Sequence, residues 1–210
     1  MGLDMYFYKL RKAKNKSLNE LLDIQDKINY ADNTQKQQEE KDKLLKEFKN
    51  YLHKHTYKYL RVSELKFDYE LGYMRKANAI HNYIIDNFGG GIDNCTPIEL
   101  SKENIKQLQD VVKKLIYECK LEKGKVVNGY SYNIENGQPK MQPNYEKGYT
   151  MTKTSKKLAS KLLPTCDGFF FGSTQYDEWY YNDLLEFYKI ASDLLKVDTD
   201  KYYMYYRASW

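Results

Sequence analysis

Leu3, Met5 and Phe7 alternate with Asp4, Tyr6 and Tyr8 near one end of the chain, and the run YYMYYRASW stands at the other. Strict alternation of apolar and polar residues marks a strand with one buried face, and tyrosine-rich runs of this kind favour extended backbone. Two such segments in one domain can pair with each other, and antiparallel pairing leaves neither end loose. At 210 residues with 41% hydrophobic content, the chain suits one domain spanning 1–210.

The intervening stretches read mostly as helix. Ser17 can cap a helix carrying Leu18, Leu21, Leu22 and Ile28 on one side. NTQKQQEEKDKLLKEFKNYL then runs from polar to amphipathic, with Leu44, Leu45, Phe48 and Leu52 spaced for one face. Together they predict a projecting helical hairpin over 17–55, solvated at 31–42, in which His53 and His55 point to different faces. ELKFDYEL (64–71) alternates as a strand, with Asp68 on its polar side. Gly72 ends it, and GYMRKANAIHNYIIDNF reads as a helix burying Ala77, Ile80, Ile84 and Phe88. Ser101 opens a regular helix from Ile105 to Cys119. Residues 122–152 are polar and read as an inserted arm, with a hairpin turn at Asn136-Gly137 and Pro139 and Pro143 on an edge strand. Phe169–Phe171 read as core, and Tyr180, Leu184, Phe187, Tyr188, Ala191, Leu194 and Leu195 as one helical face. The sum is α+β: a small, mostly antiparallel sheet including both terminal strands, covered by helices.

Charge and cysteine content narrow the function classes. A net charge of +5 falls short of the dense basic field of a dedicated nucleic-acid binder. Cys95, Cys119 and Cys166 lie far apart, without metal-ligand spacing, and read as free thiols in a reducing cytoplasm. No secretory leader or apolar run of membrane length is evident, so no membrane partner is expected.

No catalytic signature names a reaction: Walker loop, dinucleotide fingerprint, HExxH and nucleophile elbow are all missing from the sequence. No cofactor or metal is expected, and the catalytic residues stay unknown. Two groups of side chains suit ligand binding. Arg75, Asn78 and Asn82, at helical spacing, offer a guanidinium and two carboxamides for a phosphate and a base or sugar edge, with Tyr73 and Lys76 beside them. The plainer alternative is a solvated face with Arg75 paired to Glu70 or Asp68. His81 sits beside the buried stripe, as a core-edge histidine or a general base. Asp4 is either buried against a cation such as Arg75 or part of a polar floor.

The second group lies in LPTCDGFFFGSTQYDEWYYNDL (163–184). Ser173 or Thr174 is expected to cap the final helix, with Thr174 and Asp177 in capping-box spacing, and the helix end is a potential anion site. Asp177 and Glu178 oppose a phosphate there, while the rings of Tyr176 and Trp179 could stack on a base.

MGLDMY (1–6), LGYMRKANAIHNYI (71–84), LLPTCDGFFFGSTQYDEWYYNDL (162–184) and the closing YYRASW, covering just under a quarter of the chain, carry a resemblance. Together they resemble a family of small uncharacterised proteins of bacteriophages, prophages and bacterial genomes. That family usually has Trp where this chain has Met74, and it is shorter where this chain carries the lysine-rich hairpin and the 122–152 arm. The resemblance implies a phage setting, in the host bacterial cytoplasm, and by analogy a counter-defence protein that sequesters a nucleotide-like immune signal. The alternative is an anti-CRISPR-type inhibitor that binds a host defence protein through the hairpin and arm. A nucleotide hydrolase or transferase is the third reading, and homo-oligomerisation is left open.

Overall fold

β1 (Asp4–Arg11) is the axis of the computed structural model, which describes residues 2–31, 34–57, 62–135, 138–168 and 171–210. β1 pairs antiparallel on one side with β8 (Tyr202–Ser209), the pairing that the two terminal runs allow, and on the other with β4 (Asp68–Arg75), which no local pattern foresees. The short β5 (Ile98–Glu99) completes a four-stranded antiparallel sheet in the order β4-β1-β8-β5.

One face of this sheet is closed by helices. Leu3, Met5 and Phe7 from β1 and its approach, Met74 from β4, and Met204, Tyr206 and Ala208 from β8 form a core with α3 (Asn78–Phe88), α4 (Lys102–Glu118) and α6 (Glu178–Leu194). The Phe7 and Phe187 rings lie 5.7 Å apart within it. Ser101 caps α4 in a reciprocal box with Asn104. α5 (Lys153–Leu162), which the sequence reading does not anticipate, lies beside α4 with Ala159 buried.

The other face is covered at one end only. α1 (Leu18–Asn29), capped by Ser17 and Glu20, lays Leu18, Leu21, Ile24 and Ile28 against Leu10, Phe67 and Tyr205. α2 (Gln35–Phe48) buries Phe48 and leaves residues 34–42 largely in water. Two consecutive helices thus stand where the hairpin over 17–55 is expected, and its projection and its far bound are corrected. α1 is part of the core, α2 ends at Phe48, and His53 opens β2 (His53–Tyr57), which pairs with β3 (Val62–Lys66). His53 stacks on Tyr69 with ring centroids 4.0 Å apart, a contact that helical spacing does not foresee.

Residues 121–151 form a long two-stranded arm, β6 (Leu121–Glu135) and β7 (Gln138–Met151). The turn expected at Asn136-Gly137, and Phe169 and Phe170 as core, lie outside the described residues; Phe171 is buried. Among the described residues, no helix is long and apolar enough to cross a membrane.

Candidate functional site

The helix expected from Gly72 begins six residues later. Gly72 to Arg75 pair with β1 instead, and the ladder of backbone hydrogen bonds outweighs local helix propensity there. Lys76 then takes a left-handed φ of 61°, which breaks the chain direction before α3 starts at Asn78. Arg75, Asn78 and Asn82 therefore share no helical face. Arg75 sits on the sheet, with its Nε 3.5 Å from the Asp4 carboxylate. Asn82 donates to Asp86 at 3.0 Å. Asn78 is 3% exposed and acts as a staple: its Nδ2 donates to the Phe171 and Ser173 carbonyls, and its Oδ1 accepts from the Cys166 N–H.

His81 is also core. It is 1% exposed, with Nε2 3.0 Å from Asp93 Oδ2 and Nδ1 2.7 Å from the Tyr206 hydroxyl. A carboxylate can only accept, so Nε2 carries a hydrogen toward Asp93, and the Tyr206 hydroxyl, able to donate or accept, satisfies Nδ1. Both ring nitrogens are engaged within the protein.

The final helix is capped by Asp177, not by Ser173 or Thr174. Asp177 Oδ1 accepts from the N–H groups of Trp179 and Tyr180, so the chain's own carboxylate occupies the anion position at that helix end. Burial pushes the Asp177 carboxyl up. Ser173 and Thr174 lie in the extended approach, where Ser173 Oγ accepts from Gln175 N–H and the Thr174 carbonyl accepts from Thr165 Oγ1. Tyr176 is tied to Thr165 and packs edge-on against Tyr180. Trp179 is 56% exposed, on a helix that packs against the face of the sheet opposite Arg75.

What the structure brings together lies on the open end of the outer sheet face. Opposite residues in an antiparallel pair share a face, so three rows run across β4, β1 and β8: Arg75–Asp4–Ser209, Tyr73–Tyr6–Arg207 and Glu70–Tyr8–Tyr205. The rings form a ladder. Tyr6 lies 5.2 Å from Tyr73 and 5.9 Å from Tyr8, and Tyr8 lies 5.0 Å from Tyr205, the last two pairs being stacked. The Tyr73 hydroxyl donates to Asp4, and that bond pushes its pKa up to about 12. Asp4 is thus half-buried and held by both Tyr73 and Arg75.

Beyond Tyr8 this face dips under α1 into a polar cleft of about 270 Å³, walled by Gln25, Asp26 and Asn29 of α1, Glu64 and Lys66 of β3, and Tyr205 and Arg207 of β8. Asp68 stands at its floor. The chain bends at Phe67, which plugs the apolar cluster beneath α1 and leaves the next residue turned inward. Asp68, expected on the polar side of its strand, is consequently 4% exposed. Its Oδ2 accepts from the Tyr205 hydroxyl and from Gln25 Nε2, while its Oδ1 has no partner among the described residues. Gln25 also accepts from the Phe67 N–H at 2.7 Å, so one side chain fixes both residues of the bend. Burial pushes the Asp26 carboxyl up, opposed by Arg207. Burial, followed by the charge of Asp68, raises Tyr205 far above its ordinary value.

Of the residues that the sequence singles out for binding, Tyr73 and Arg75 border this face. Asp68, Tyr205, Arg207, Gln25 and Asp26 were missed. The signal for part of the set was present: extending the alternation along YYMYYRASW puts Tyr205, Arg207 and Ser209 on one side and Met204, Tyr206 and Ala208 on the other. Comparison with protein-family models, curated proteins and solved structures finds no match to this chain.

Proposed function

We propose that the protein binds a small nucleotide-like ligand in the cleft on the outer sheet face. The observation that carries this reading is Asp68, a buried carboxylate with one oxygen unpartnered among the described residues, beneath stacked tyrosines and an arginine. A buried acceptor without a donor is costly, and a ligand N–H is the group that relieves it. The cleft falls just under the ~300–1,000 Å³ of pockets that enclose drug-sized ligands, so it suits a base, with phosphates left outside near Arg207 and Arg75. The ring faces of Tyr6 and Tyr8 suit a planar heterocycle. An acceptor-rich floor favours a base edge that donates twice, as guanine does.

The wider role follows the resemblance of MGLDMY, LGYMRKANAIHNYI and the 162–184 stretch: a phage-encoded counter-defence protein that sequesters an immune signal in the host bacterial cytoplasm. Calorimetry against cyclic di- and trinucleotides, ADP-ribose derivatives and guanine nucleotides tests it. Binding by the wild type, lost in Asp68→Asn and in Arg207→Ala, is the expected result. No binding across the panel, or affinity untouched by both variants, overturns it. Turnover of a panel member favours the hydrolase or transferase reading instead.

A second reading draws on the arm, where Tyr130, Ile134 and Tyr145 are more than half exposed. Such side chains suit a protein partner, as in an anti-CRISPR-type inhibitor of a host defence complex. Capture of a host protein that persists with nucleotide added and is lost in the variant carrying Tyr130→Ser with Ile134→Ser would favour it.

A further inference from the structure

The positive charge of the chain is concentrated. Residues 113–161, comprising the end of α4, the β6–β7 arm and α5, hold eleven lysines and four glutamates, a surplus of seven. The whole chain carries +5, so the remainder is net negative. The sequence-wide charge conceals a basic region in an otherwise acidic protein.

The arm arranges part of this charge on one face. Lys123 lies opposite Tyr149, Lys125 opposite Lys147, and Val127 opposite Tyr145. These positions share a side of the ribbon, and Lys123, Lys125, Lys147, Tyr145 and Tyr149 are all exposed. The reverse side is covered around Val126 and Gly148. Val126 is 3% exposed, and the missing side chain of Gly148 leaves room for Val126 and the Glu178 carboxylate. Glu178 in turn accepts from the Tyr149 N–H, which fixes the base of the arm to α6. α5 starts at the same place: Lys120 N–H donates to Ser155 Oγ, and Thr152 N–H donates to the Lys120 carbonyl. Its Lys153, Lys156, Lys157 and Lys161 extend the positive region from there.

Like charges directly opposite in an antiparallel pair oppose folding. Lys125 and Lys147 form such a pair, and neither they nor Lys123 has an ion-pair partner among the described residues. The arrangement gains a rationale when a polyanion lies across it. Lysines interleaved with exposed ring faces, 62% for Tyr145 and 46% for Tyr149, favour a strand whose bases are free to stack. We infer that this face of the arm binds single-stranded nucleic acid, with Lys123, Lys125 and Lys147 on phosphates and Tyr145 and Tyr149 on bases. The site is separate from the cleft and does not depend on it.

Fluorescence anisotropy with the full chain and a labelled oligothymidylate, longer than the roughly 4–16 nucleotides of a typical single-strand module, tests this. Three lysine–phosphate contacts add about −2 to the slope of log affinity against log salt. Replacing Lys123, Lys125 and Lys147 together by Glu is expected to weaken binding by about 100-fold at low salt and to flatten that slope. Lys147→Glu alone should weaken binding while raising the melting temperature, because it turns a repelling pair into an attracting one; this separates lost contact from lost fold. Tyr145→Ala with Tyr149→Ala should weaken binding without changing the slope. Salt-independent binding, unchanged affinity in the triple variant, or equal competition by polyglutamate or a duplex of the same length overturns the inference. Arg207→Ala should leave oligonucleotide affinity as it is, so failure here and failure of the cleft are told apart.

Discussion

The two faces of the central sheet are made by the same strands and share almost nothing else. On the inner face Leu3, Met5, Phe7, Met74, Met204 and Tyr206 are closed against helices. On the outer face Asp4, Tyr6, Tyr8, Tyr73, Arg75 and Arg207 remain partly in water, and the deeply buried carboxylate of Asp68 keeps one oxygen without a partner among the described residues. Adjacent tyrosines on β8 show the contrast in miniature. Tyr206 completes a polar chain with His81 and Asp93 inside the core, whereas Tyr205 holds Asp68 at the floor of the cleft. A strand with period two can thus commit alternate residues to stability and to recognition.

The largest effect that separates the faces should come from the inner one. Phe187→Ala removes a buried ring packed on Phe7 and is expected to cost about 3–5 kcal/mol in urea unfolding; a loss below about 1 kcal/mol would break the assignment of that face as the stabilising one. Next comes Asn78→Ala. It leaves two carbonyls and an N–H without their partner, at about 2–3 kcal/mol, and should expose residues 163–176 to limited proteolysis. Asn78→Asp restoring resistance would contradict the staple, since a carboxylate cannot donate to the two carbonyls.

A pH-dependent effect is expected on α6. Asp183 is pushed up to about 7 by burial and by the nearby Glu186 and Asp177. The folded state therefore holds this proton more tightly than the unfolded state does. Its contribution is fully present below the ordinary carboxyl value of 3.8 and is lost as pH rises through about 7. Asp183→Asn should accordingly stabilise the protein at about pH 8, on the order of 2 kcal/mol after allowance for partial exposure, and do nothing near pH 3. A pH-independent gain would refute the cause given. Arg75→Ala should have the smallest effect on stability. Its ion pair with Asp4 is solvent-exposed and contributes less than about 1 kcal/mol, so a large drop in melting temperature would show that the outer face also holds the fold together.

Legibility in the sequence followed the range of the forces involved. β1, β8, the Ser17 and Ser101 caps and the apolar stripe of α6 were readable because each depends on residues a few positions apart. The α3 boundary was not, because GYMR is extended only through its pairing with β1, a partner some seventy positions away in the chain. The same reason hid Asn78 and Asp68, polar residues whose burial is set by distant segments. At the 163–184 stretch, Thr174 and Asp177 had the spacing of a capping box, yet the helix starts where Asp177 can cap it directly. The cleft itself gathers side chains from α1, β3, β4 and β8, which no local pattern links.

The central pair of the sheet joins Asp4 to Ser209, while the arm joins Leu121 to Met151. Closing the larger loop costs more chain entropy before any contact rewards it. Assembly should therefore run from the periphery inward, with arm and helices forming early and β8 docking on β1 last. Until that step, one edge of β1 stands open to pairing with other chains, and neither Tyr205 nor Arg207 is in place. If β8 docks last, the slowest step of folding is also the most aggregation-prone, and recognition in the cleft begins only after it.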